Sequence, residues 1–148
     1  MSDWSSYAAG RVRQQQQNSS IRDARALQEE RLLDEYAPSR WEELRKTLMQ
    51  MCTDFNAEEG MRNSFACDNS NRDALKVEYT PKVISARLTF NRERHEIKVG
   101  GLIGPAVGEL VYKIAVVPGQ RETYFSDGNN SIQAHEIARK VLDRLLGI

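Results

Sequence analysis

With only two cysteines in 148 residues, the chain cannot build a disulfide framework. That excludes the small secreted scaffolds that depend on one and fits a reducing compartment. Long apolar runs are missing too. The best stretch, Leu110 to Val117, is broken by Lys113 and falls well short of the ~20 residues of a membrane span. Neither sign of charge is in excess. Lys+Arg and Asp+Glu both number 21, so there is no large field to steer nucleic acid, an anionic membrane or a charged substrate. The start, Met1-Ser2-Asp3-Trp4, offers no basic segment followed by an apolar one. No secretory signal is expected, and the cytoplasm is the expected location.

Catalytic signatures are equally scarce. The segment 100–108 holds four glycines but lacks the Lys-Ser/Thr ending of a P-loop and the G-x-G-x-x-G spacing. The two histidines, His95 and His135, are in no H-x-x-x-H arrangement, and Cys52 and Cys67 form no Cys-x-x-Cys, so neither metal nor cofactor is expected.

What is present is a change of period. Residues 1–20 are polar and end in Gln14 to Gln17 and Asn18-Ser19-Ser20. Such a segment buries too little apolar surface to offset its ordering entropy and is expected as a flexible tail. From Ile21 to about Glu35 the chain is charged, free of Gly and Pro, and carries Ile21, Ala24, Leu27, Leu32, Leu33 and Tyr36, a narrow helical stripe. Pro38 interrupts, and Ser39-Arg40-Trp41-Glu42 reads as a capping box opening a second helix over about 40–58. Its apolar residues Trp41, Leu44, Leu48, Met51, Cys52 and Phe55 recur at three- and four-residue steps. Residues 60–73 are turn formers and read as a loop.

Beyond Leu75 the period is two. Leu75, Val77 and Tyr79, then Ile84, Ala86, Leu88 and Phe90, then His95, Ile97 and Val99 alternate with polar residues. Glu109 to Val117 and Arg121 to Phe125 add a fourth and a fifth strand. Alternation of this kind gives strands with one buried face and one wet face. Residues 131–146 return to a helical repeat, capped by Asn130 or Ser131 and ended by Gly147. The expected fold is α+β and two-layered: a five-stranded antiparallel meander covered by N- and C-terminal helices, in the order α-α-β-β-β-β-β-α. Residues 21–148 are expected to form its single domain.

Function follows only by weighing chemistries. A non-catalytic binding or interaction module is the leading expectation, with a protein partner or a second copy of the chain as occupant. Its contacts would come from Leu102, Ile103 and Val107 at the tip of the glycine-rich segment and from Leu27, Leu32 and Leu33 of the first helix. One alternative is a small enzyme in which a Cys67 thiolate attacks an acyl carbon while His95 or His135 relays the proton. Another is a carrier with a small molecule held between sheet and helices. Nothing favours nucleic acid, because the strand aromatics are not set clearly on the wet face.

Overall fold

The structure, a computed structural model, describes residues 3–101 and 110–148. Among these residues it is α+β, with two α-helices and a seven-stranded antiparallel sheet. A long helix α1 (Asp3–Asn56) leads into strands β1 (Phe65–Asp68), β2 (Ala74–Tyr79), β3 (Ile84–Asn91), β4 (Glu96–Gly100), β5 (Leu110–Val116), β6 (Thr123–Ser126) and β7 (Ser131–Ile132). Helix α2 (Ala134–Leu146) closes the chain. Every strand pairs with its sequence neighbour, so the sheet order is β1 to β7 without a crossover, the meander that short polar links impose.

The period-two residues all turn to one side. Leu75, Val77, Ala86, Leu88, Phe90, Ile97, Val99, Tyr112, Ile114 and Phe125 are buried in one cluster with Ala37, Trp41, Leu44, Leu48 and Cys52 of α1 and Ile137, Ala138, Val141 and Leu145 of α2. Both helices therefore cover the same face. On the opposite face Lys76, Arg87, Val111 and Lys113 are exposed. Chain contacts divide the molecule into two compact units, one ending at Leu32 and one beginning at Leu33, with α1 running through both.

Four local expectations are corrected. A single helix replaces two: α1 passes through Pro38 without a break. An interior proline costs about 3 kcal/mol, yet burying Trp41 and Leu44 offers roughly 1.5–3 kcal/mol each, so packing outvotes propensity. The sheet has seven strands where five were expected. Phe65–Asp68, read as loop, is held in the sheet by pairing with Lys76–Tyr79. Ser131–Ile132, read as the start of the last helix, pairs with Phe125 and Ser126, and α2 starts at Ala134 behind Gln133, which makes no side-chain cap bond. Finally, His95 lies not in a strand but in the β3–β4 turn with φ 54°. Residues 3–20, read as a tail, are helical in α1; Arg and Gln are good helix formers, and no proline interrupts them.

The cap expected at Gly147 is present. Gly147 ends α2 in the left-handed region, φ 79°, and the Ile148 N–H donates back to the Asp143 carbonyl, 2.9 Å, a Schellman closure. Leu102, Ile103 and Val107 lie outside the described residues.

Candidate functional site

A row of aromatic and cationic side chains, buried at Trp41, Phe90 and Arg45 and more open at Arg92, binds α1 to the first strands. Trp41 stacks on Phe90 with ring centroids 5.8 Å apart. The Arg92 guanidinium lies over the Phe90 ring at 5.5 Å, and Arg45 lies over Trp41 at 5.9 Å. Trp41 Nε1 and Arg45 Nη1 both donate to the Arg72 carbonyl, at 2.9 and 2.6 Å, and Arg45 Nη2 donates to the Asn69 carbonyl. The loop between β1 and β2 is thus clamped to the helix by side chains, which satisfies carbonyls that no strand partner reaches. Arg92 also grips both carboxylate oxygens of Asp73 at 2.7–3.0 Å, and this pairing lowers the Asp73 pKa.

At the other end of the sheet is a cavity of about 410 Å³. Its walls come from α1 (Arg40, Glu43, Thr47), β6 and β7 (Thr123 and Ser131) and the start of α2 (Gln133, His135). Arg40 Nε donates to Thr123 Oγ1 at 3.0 Å and its Nη2 to the Thr123 carbonyl at 2.6 Å, while Nη1 meets Glu43 at 2.9 Å. One cation answers one anion here, so the cavity offers hydroxyls and a balanced ion pair. A volume in the range of small-molecule sites with this lining suits a small polar compound.

Cys67, His95 and His135 occupy three separate places. Cys67 is on the edge strand β1 opposite the buried Val77, and so on the face that α1 covers and that buries Cys52. His95 is buried in the β3–β4 turn, where its Nε2 meets Asp34 Oδ1 at 2.7 Å and its carbonyl accepts from the Ile114 N–H. His135 lines the cavity beside β7. Since β1 and β7 are the two edges, six strand spacings or roughly 29 Å of sheet separate Cys67 from the His135 end. Among the described residues no group of three or more His, Cys, Asp or Glu side chains is placed to hold a metal ion. No helix among them is long and apolar enough to cross a membrane.

Of the helix residues singled out from sequence, Leu33 packs against the core, Leu32 is half-buried and Leu27 is exposed. Arg40, Arg45 and the Cys52 partner of Cys67 were not legible as site residues. Arg40 and Thr123 are 83 positions apart, and nothing local in either segment marks the other.

Fold and geometry define a class no narrower than an α+β protein with a helix-covered antiparallel meander. Comparison with protein-family models, curated proteins and solved structures gave no match to this chain.

Proposed function

We propose that this chain is a non-catalytic interaction module that self-associates through its N-terminal helical segment. The observation that carries this is the surface of residues 3–32. Trp4 and Tyr7 are 74% and 62% exposed, and Val12, Ile21 and Leu27 are each more than half exposed. Large apolar side chains presented along a helix favour a partner surface, and an isolated helix is marginal in water without one.

Charge supports a second copy as that partner. Residues 11–25 carry Arg11, Arg13, Arg22 and Arg25 against Asp23. Residues 28–35 carry Glu29, Glu30 and Glu35 against Arg31, besides Asp34, which meets His95. Two copies laid antiparallel set the basic half of each helix beside the acidic half of the other, an arrangement that salt weakens.

Sedimentation equilibrium on the full chain tests this. A dimer is expected, with the dissociation constant rising at least about tenfold, or 1.4 kcal/mol, in a Tyr7→Ala/Ile21→Ala/Leu27→Ala variant. A chain that stays monomeric at high micromolar concentration in low salt overturns the assignment. The low cysteine content favours the cytoplasm as its location.

A second reading, carriage of a small polar molecule, is favoured by one observation, the cavity between α1, β6 and α2. Native mass spectrometry of the purified chain would reveal a retained compound, and Thr123→Val should abolish it. If no compound is retained, and none from a panel of small polar metabolites shifts the melting temperature, this reading falls.

A further inference from the structure

Cys52 and Cys67 are the two cysteines of the chain, and the fold brings them together. Cys52 belongs to the buried stripe of α1, whereas Cys67 is an exposed residue of the edge strand β1. The final turns of α1 and this strand are fastened side by side. Asn56 Nδ2 donates to the Phe65 carbonyl at 2.9 Å, and the Phe65 N–H donates back to Asn56 Oδ1 at 2.9 Å. The Phe55 and Phe65 rings meet edge-on at 5.1 Å. One turn back, Asn69 Nδ2 approaches Met49 Sδ at 3.8 Å. Between these fastenings Cys67 pairs with Val77, which is fully buried in the same cluster as Cys52, so the Cys67 side chain is on the helix-covered face beside Cys52.

We propose that Cys52 and Cys67 form a dithiol modification site that low-molecular-weight disulfides of the glutathione class oxidise to an intramolecular disulfide. Placement divides the roles. Cys67, reachable from solvent, is the attacking sulfur, and Cys52, buried against it, is the resolving one. The hydrogen bond from the Cys52 thiol lowers the Cys67 pKa, and the same bond together with burial raises that of Cys52, which keeps the thiolate on the exposed sulfur.

In the first step the Cys67 thiolate attacks one sulfur of the small disulfide. The sulfur–sulfur bond of the reagent breaks, and one thiolate leaves and takes up a proton. In the second step Cys52 attacks the Cys67 sulfur of the mixed disulfide, the bond to the second small thiolate breaks, and that thiolate takes up the proton the Cys52 thiol gives up. Two protein thiols have then lost two electrons, and one small disulfide has become two small thiols. Since Cys52 is buried on the face to which Cys67 turns, the small disulfide need not reach Cys52 in the second step, which outruns the accumulation of the adduct.

The test uses the intact chain incubated with oxidised glutathione, followed by alkylation of remaining thiols, intact mass and non-reducing peptide mapping. Expected for the unmodified chain is the loss of both alkylatable thiols, no retained glutathione, and one cross-linked peptide pair containing Cys52 and Cys67. Cys52→Ala should trap a stable glutathione adduct on Cys67, and Cys67→Ser should leave Cys52 unreacted while the chain is folded. Stable glutathionylation of Cys67 in the unmodified chain, a Cys67–Cys67 cross-link between two chains, or full retention of both thiols would each overturn the proposal. The unmodified chain alone decides between these results should the Cys52→Ala variant fail to fold.

Discussion

Arg45 shows how much a single side chain carries here. It is only 8% exposed, it covers the Trp41 ring, and its guanidinium satisfies the carbonyls of Asn69 and Arg72. Truncation to alanine removes the side-chain donor to the Asn69 carbonyl and leaves the Arg72 carbonyl with Trp41 Nε1 alone. We expect Arg45→Ala to lower unfolding free energy by about 2 kcal/mol, read as a shift of the urea midpoint at unchanged slope. Asp73 acts through protonation instead. Its pKa is lowered chiefly by the hydrogen bonds from Arg92, so the folded state holds this proton less tightly than the unfolded chain does. The stabilisation is therefore present above the ordinary carboxylate pKa of about 4 and is lost as pH falls below it. Both partners are more than a third exposed, so solvent screening keeps the effect modest. Asp73→Asn should lower the melting temperature at pH 7 and bring the variant level with the unmodified chain near pH 2. A constant gap across that range would show that the Asp73 charge is not responsible.

Among the elements, α1 departs furthest from what local propensity allows. The residue before a proline is biased away from helix, and the proline has no N–H for the Asp34 carbonyl, yet Ala37 is fully buried and the helix continues. The neighbouring side chains explain it. Leu33 packs against the core, the Asp34 carboxylate meets His95, and Trp41 and Leu44 are buried on the next turns, so helical backbone on both sides of Pro38 is fixed by tertiary contacts. Pro38→Ala removes a penalty of about 3 kcal/mol and gives back up to about 1 kcal/mol of unfolded-state freedom. A net gain of about 2 kcal/mol is expected by chemical denaturation, and a loss would mean that the backbone at Pro38 is already adapted to its ring. The edge strands show the reverse balance. β7 is two residues long, and its sequence, Ser131-Ile132, carries no period from which a strand could be read. It exists because Phe125 and Ser126 pair with it and Ile132 falls into the core.

At the scale of the molecule, the alternation from Leu75 to Phe125 was enough to specify an antiparallel meander with one covered face. Strand side chains change sides at every residue, and a row of apolar ones on one side has to be buried. The amphipathic repeat of residues 134–146 and Gly147 behind it specified α2 in the same way. Sequence also separated Cys52, on an apolar helical stripe, from Cys67, in a polar setting. What it could not supply was contact between distant segments. The setting of Cys67 on the face that buries Cys52, the meeting of His95 with Asp34 and that of Arg40 with Thr123 each join parts of the chain with no local signal for one another. The same holds for the path of α1 through Pro38 and for the pairing that makes β1 and β7 strands. A local repeat fixes which way a side chain points, because backbone geometry alone sets the period. Which partner it meets, and whether a proline or a two-residue strand is tolerated, was decided by the free energy of packing the whole sheet against its helices.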